Sequence, residues 1–292
     1  MATETRELVL EGGGKKPDLT GGSIFFIGTA TVLLRFAGFT ILTDPNFLHK
    51  HEVAHLGFGL RSARRTDPAI EIEDLPSVDL VVLSHFHEDH FDRLVQQKLD
   101  KTWPIVTTRH ATSALARRGF TAPHPLETWE TLTATKGDVS LRVTAMPGEH
   151  GPGILSKALP SVMGSMLEFK TLSGDSAEGK TLLRLYITGD TLIHEKLSEI
   201  PRRYPDIDLA LLHLGGTRAF GVLVTMDGAQ GVEAIRIVNP RMAIPIHYND
   251  YTVMKSPLID FQNRVAAAGL ANRVRYLNHG DTYTFEIPAS RR

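Results

Sequence analysis

Residues Ser84–Phe91 read SHFHEDHF and follow directly on the apolar run Val78-Asp79-Leu80-Val81-Val82-Leu83. A continuous apolar run of this kind suits a strand buried on both faces, as central strands of helix-covered sheets are. Three imidazoles and two carboxylates then crowd into six positions where that strand ends. Period-two alternation puts His85 and His87 on the same side. Asp89 and His90 fall where the chain turns into the helical pattern DHFDRLVQQKL, and so enter the same crevice from another direction. Neutral imidazole and carboxylate suit Zn²⁺ first, with Mn²⁺ or Fe²⁺ as further candidates. The bland alternative is a polar loop with solvated histidines. Three His and an Asp so close together, after a buried strand, argue against it.

Outward from this stretch, strands and helices alternate. PIVTT and HATSALARRG repeat strand then helix, with Gly119 as the expected helix stop. Before it, SIFFIG, TVLLRFAG and FTILTDP read as a meander of short strands. Beyond it come VSLRVTAMPG, SMLEFKTL and TLLRLYITGD as strands, the last two around the turn SGDSAEGK. HEKLSEIPRRY reads as helical, DLALLHLGG as a strand, and DGAQGVEAIRIV as a helix stopped before Pro240. RMAIPIHY is a further strand, SPLIDFQNRVAAAG a helix with a Ser N-cap, and RVRYLNHGDTYTFEI closes with strands. Residues 1–22 are polar and Gly-rich, a loose arm or an edge segment, and residues 23–292 are expected to form one layered domain. Two connections stand out, 45–75 and 151–165. Long loops of this kind are usually functional or mobile.

Three later strands also end in ligand-type residues. LRVTAMPGEH ends at His150, LRLYITGD at Asp190 and RMAIPIH at His247. Ligands gather at such strand ends in sheet-based folds. Composition narrows the chemistry further. The 292 residues contain no cysteine, which removes disulfides and thiolate catalysis, so any metal must be held by His, Asp or Glu. With 32 basic and 33 acidic residues, the net charge of −1 gives no bulk attraction to nucleic acid or an anionic membrane. No apolar run approaches the roughly 20 residues of a membrane span. No apolar leader is visible, so a cytoplasmic location is expected.

In order, TDP at 43–45, SHFHEDH at 84–90, GEH at 148–150, TGDT at 188–191 and PIHY at 245–248 resemble the metallo-β-lactamase superfamily of metallohydrolases. Among its branches the chain looks most like the compact group that includes ascorbate-6-phosphate lactonase and the N-acylphosphatidylethanolamine phospholipase D-like proteins. Thr29 stands where that group usually has His in its GHAT stretch. The resemblance implies an α/β fold, a four-layer αββα sandwich with two divalent ions at one edge. It implies one ion held by His85, His87 and His150, and another by Asp89, His90 and His247. Asp190 would bridge them and Asp44 would orient a ligand.

The expected activity is hydrolysis of a small ester, lactone or phosphodiester by a hydroxide formed on the metals. Asp89 is expected to orient that hydroxide and move a proton. His194, four residues after Asp190, is a candidate leaving-group donor or substrate contact, with a helix-cap or surface role as the alternative. His213 either lines the cleft or packs structurally, and Tyr248 is expected to point away from His247. His49, His51 and His55 read as a solvated loop, and RSARR as a solvated basic face. The apolar residues of GPGILSKALPSVMG form either core or a hydrophobic lip over the metals. As a lip, Ile154, Leu155, Leu159, Val162 and Met163 should be partly exposed. The expected partner is a small molecule, not nucleic acid, and homo-oligomerisation is left open. A non-catalytic metal-binding scaffold of the same fold is the competing reading.

Overall fold

Alternate residues along the strands part toward two different cores. Ile24 and Phe26 face one cluster and Phe25 and Ile27 another, as Leu80 and Val82 part from Val81 and Leu83. On the opposite sheet, Leu209 and Leu211 part from Ala210 and Leu212 in the same way. A strand that is apolar on both faces must be covered on both. Two sheets packed face to face with helices outside are the arrangement that satisfies this.

The computed structural model describes residues 5–12, 16–57, 59–153, 156, 158–172 and 179–291. The first sheet has seven strands, in the order Thr5–Val9, Thr131–Lys136, Val139–Met146, Gly164–Thr171, Lys180–Ile187, Leu209–His213 and Met242–Ile246. The second also has seven, in the order Thr282–Glu286, Gly21–Gly28, Thr31–Phe36, Phe39–Thr43, Leu80–Val82, Ile105–Thr107 and Pro123–Pro125. Each sheet is antiparallel through its hairpins and parallel where helices return the chain. The central core lies between the sheets. Helices α1 (Arg93–Lys98) and α2 (Arg109–Ala116) cover the outer face of the second sheet. Helices α3 (Glu199–Arg203), α4 (Gly228–Val238) and α5 (Leu258–Ala267) cover the first. This is the αββα sandwich that the motifs imply.

Local chemistry explains most of the boundaries. Asp92 caps α1 by accepting from Val95 N, and Asp227 caps α4 by accepting from Ala229 N and Gln230 N. Asn239, left-handed at φ 54°, ends α4 just before Pro240. Ser256 does not cap α5: the cap position is Pro257, and the Ser256 hydroxyl instead accepts from Gly228 N. Within the N-terminal arm, Thr5–Val9 is an edge strand lying parallel to Thr131–Lys136. The closing segment makes one strand, Thr282–Glu286, not several; Val274 contributes only an isolated bridge to Ala243. The loop at 45–75 is not structureless. It folds into a small hairpin, Val53–His55 with Arg61–Ala63.

Candidate metal centre

Six strands from both sheets end at one place. Phe39–Thr43 delivers Asp44, and Leu80–Val82 delivers Ser84 and the histidine-rich turn. Val139–Met146 leads to His150 and Lys180–Ile187 to Asp190. Leu209–His213 delivers His213 and Met242–Ile246 delivers His247. Three residues at this rim, Thr29, Asp44 and His247, hold positive φ angles of 51°, 32° and 58°. In the left-handed region a non-glycine residue costs on the order of 1–2 kcal/mol, so the surroundings must enforce it. At His247 the enforcing contact is a hydrogen bond from its N–H to Thr29 O at 2.5 Å.

Ligand-type atoms converge in four overlapping sets, each with its atoms within 4.8 Å of one another: His85/His87/His150, His85/His90/Asp190, Asp89/His90/His247 and Asp44/His90/His213. All seven residues singled out from the strand ends and the turn are thus brought together. His85 Nε2 lies 2.9 Å from His87 Nδ1. Asp190 faces two rings, with His90 Nε2 and His247 Nδ1 each at 3.5 Å. Asp89 Oδ2 lies 3.5 Å from His247 Nε2. Side chains behind this layer aim it. His150 Nδ1 meets Val224 O at 2.9 Å, which turns its Nε2 toward the others. Thr225 donates to Asp190 Oδ2 at 2.8 Å. Asp44 accepts from the Ser84 amide and hydroxyl at 2.7 and 2.8 Å, and lies 3.5 Å from His90 Nδ1 and 3.4 Å from His213 Nε2.

Electrostatics divide the cluster. Burial drives His85 well below the ordinary histidine value, and the neighbouring rings add to it. Burial likewise pushes His87 down to about 3 and lowers His150. These three rings are neutral, as metal ligands must be. Burial alone would raise Asp190, but His247 and His90 hold it well below the carboxylate range. Asp89 is lowered against burial by the same two rings, and Asp44 by His213 and His90. Conversely, Asp190 and Asp89 draw His90 well above its ordinary value despite burial. Buried carboxylates here demand positive charge. Yet Asp89 Oδ1, Asp190 Oδ1, His90 Nε2 and His247 Nε2 are buried and have no hydrogen-bond partner among the described residues. Native interiors rarely leave such atoms unpaired, so a divalent cation fits this donor set.

Other expected residues lie elsewhere. His194 joins none of the four sets; it lines a cavity of about 510 Å³ beside His150, Glu149 and Glu195, and its Nε2 is unpartnered among the described residues. Its side chain makes no helix cap. His213 is fully buried and stacks on His90 at 5.8 Å; it joins the set with Asp44 and His90 and lines none of the cavities described for the metal centre. Tyr248 turns away and donates to Leu277 O. His49 pairs with Glu71 within the loop, and His55 with Glu88 of the histidine-rich turn. Leu159 and Met163 are buried, at 8% and 4% exposure, so they do not form an exposed lip; Val162 is half-buried, and Ile154 and Leu155 lie outside the described residues.

Arg64 corrects the reading of RSARR as a solvated face, since it is only 1% exposed. It donates to Asn46 and to Thr66 O and lies over the Tyr251 ring. Asn46 in turn donates to Glu88 O at 2.7 Å, inside the histidine-rich turn. Asp250 completes this layer, accepting from Thr29 N at 3.0 Å and from Thr66 and lying 3.1 Å from His279 Nε2. No motif announced Arg64, Asn46 or Asp250, because their partners lie far away in sequence.

Comparison with known proteins identifies the family and the fold. The family described as the beta-lactamase superfamily domain matches residues 40–248. A protein named UPF0173 metal-dependent hydrolase from Carboxydothermus hydrogenoformans is 27% identical over 88% of this chain and 97% of its own length. A relative of the same name from Archaeoglobus fulgidus is 29% identical over 71% of this chain and 82% of its own. Among solved structures, an isothiocyanate hydrolase from Delia radicum gut bacteria superimposes with a TM-score of 0.76 at 20% identity, over 90% of this chain and 99% of that one. A metallo hydrolase from Ignicoccus hospitalis gives a TM-score of 0.65 at 23% identity, over 92% of this chain and 100% of that one.

Proposed function

The chain belongs to the beta-lactamase superfamily, and we propose on that basis that it is a metal-dependent hydrolase with two divalent cations, acting on a small ester, lactone or phosphodiester. One observation carries the proposal: the buried, unpartnered ligand atoms of Asp89, His90, Asp190 and His247 converge on one spot. Unpaired atoms of this kind are costly unless positive charge sits among them. His85, His87 and His150 would hold one cation, and Asp89, His90 and His247 the other. Asp190 would serve both, a role supported by its membership of one set and its contact with His247. With no cysteine available, zinc is the first candidate, then manganese or iron. Bound there, such cations bring the pKa of water toward neutrality and polarise the substrate's carbonyl or phosphoryl oxygen.

The chain's own residues have separable tasks. Val224 O and Thr225 fix His150 and Asp190, and Asp44 fixes His90 through its ring nitrogen. Asp89 is our choice for the group that orients the attacking water and takes its proton, supported by its unpartnered Oδ1. His194 is our choice for a leaving-group contact, supported by its unpartnered Nε2 in the cavity beside His150. Residues 23–292 act as one hydrolase unit in this reading, in the cytoplasm, on a small molecule. The motif series favours the lactonase and phospholipase D-like branch, which lactone and phosphodiester turnover would each test. The structural neighbour named an isothiocyanate hydrolase adds one further class to try.

The test is metal analysis followed by a panel of p-nitrophenyl esters, lactones, bis-p-nitrophenyl phosphate and a benzyl isothiocyanate. Two cations per chain with turnover on at least one class is the expected result. Two cations with no turnover on any would favour the non-catalytic scaffold.

A further inference from the structure

A chamber stands directly over the metal centre, and its walls are of two kinds. Its floor is His87, Asp89, His150 and Asp190. Its sides are Leu56, Leu60, Leu159, Ala219, Phe220 and Val224. Leu159, Ala219 and Val224 pack together as a small apolar cluster with Leu60 against them, which makes this wall a built surface. No Lys or Arg lines the chamber among the described residues. Its volume is about 30 Å³, so it takes the reacting end of a small molecule, with any larger substituent lying toward the mouth beside Phe220. By contrast, the open cavities beside His87 and beside His150 measure about 730 and 510 Å³. Phe220, at the tip of the hairpin Arg218–Ala219/Val222–Leu223, is 74% exposed at the chamber's mouth.

One polar side chain interrupts the apolar wall. Thr217 lines the chamber and is 5% exposed, and its hydroxyl has no hydrogen-bond partner among the described residues. Its backbone is pinned: the carbonyl accepts from Val224 N at 2.9 Å, and the residue bridges to Met254. A valine would keep the shape and remove the unpaired group. Burying an unsatisfied hydroxyl is unfavourable, so the fold gains nothing from it.

We propose that Thr217 and the apolar wall form the substrate-binding subsite, in which the Thr217 hydroxyl donates to an oxygen, nitrogen or sulfur acceptor of an uncharged substrate whose short hydrocarbon substituent lies against Leu159 and Phe220. The proposal rests on the hydrolase reading of the same site and narrows it, from esters, lactones and phosphodiesters in general to neutral carbonyl-type compounds. An anionic substituent against that wall would be desolvated with no Lys or Arg among the described residues to meet it. A neutral group with one acceptor leaves nothing unpaired.

The test uses the full chain as purified, with its metal content measured. The probes are N-benzylacetamide, a neutral amide, and the same amide carrying a para-carboxylate, with affinity read by ligand-detected NMR titration. Thr217→Val should weaken binding of the neutral amide about fivefold to tenfold, the worth of one hydrogen bond. Thr217→Ser should retain it, and the Tm of Thr217→Val should not fall. Phe220→Ala, at an exposed position, should weaken the benzyl amide several-fold while leaving N-methylacetamide unchanged. Unaltered affinity in Thr217→Val, or a carboxylate analogue that binds as tightly as the neutral one, overturns the proposal. A protein that binds the amide through Thr217 yet hydrolyses nothing in the panel loses the hydrolase reading and keeps this one.

Discussion

Two layers of buried polar side chains lie against each other in this molecule, and they differ in one respect. In the layer of Asn46, Arg64, Thr66 and Asp250, almost every polar atom has a partner inside the protein, one guanidinium nitrogen of Arg64 being left over. In the layer of Asp89, His90, Asp190 and His247, each side chain keeps at least one buried atom with none. Both are polar, buried and assembled from distant segments. A saturated network holds a shape. A network with spare valence is shaped to receive something. The unpaired atoms, more than the burial or the charge, mark the second layer as the working one.

Removing Asp190 should separate the layers most sharply. Asp190→Ala should lose metal and activity together, by roughly a thousandfold if several kcal/mol of charge stabilisation go with it. Its metal-free stability should fall by less than that of Asp250→Ala, since one of its carboxylate oxygens has no partner to lose while the other accepts from Thr225. Retained dinuclear metal, measured by plasma emission, would remove its bridging role.

Asp250→Ala should do the reverse. Breaking a buried, paired charge costs about 3–5 kcal/mol, which urea unfolding of the metal-free chain would register as a large loss. A loss within the range of an exposed substitution would erase the distinction drawn between the layers.

Asp44 lies between the two extremes, since it touches both a ligand and the frame. Asp44→Asn should lower metal affinity about 10- to 100-fold, read by chelator competition, and should cost the fold less than Asp250→Ala does.

The smallest effect is in pH. Burial raises the Asp250 carboxyl, but His279, Arg64 and Thr66 outweigh it and hold the group below the ordinary carboxylate range. A depressed carboxylate contributes stability above its unfolded pKa and loses it as pH falls through the folded one. Wild-type stability should therefore decline more steeply than that of Asp250→Asn as the solution is acidified below about pH 4, the unfolded Asp value. Parallel acid-unfolding curves would count against the paired state of Asp250.

Legibility in the sequence followed locality. Strands such as Leu80–Val82 and Leu209–His213 show in the sequence because burial on both faces forces a largely apolar run. The turn at 84–90 shows because its ligand-type residues fall within six positions, and His150, Asp190 and His247 because each follows a strand. Arg64 and Asp250 did not show, since an isolated charge in a polar loop looks the same whether solvated or buried. What distinguishes them is Asn46, Thr66, Thr29 and His279, which only the folded chain brings near. Ser256 misled for a related reason: its hydroxyl was recruited by Gly228, from another helix. Leu159 was ambiguous between lip and core, and it packs as core while forming one wall of the chamber.

The left-handed backbone at Thr29, Asp44 and His247 bears on anyone who would make this protein more heat-resistant. Glycine replacement at such positions is a standard route to relief of local tension. Here that route leads to His247, a proposed metal ligand, and to Thr29 and Asp44 beside it, so a screen scored on melting alone would reward variants that have lost the proposed metal site.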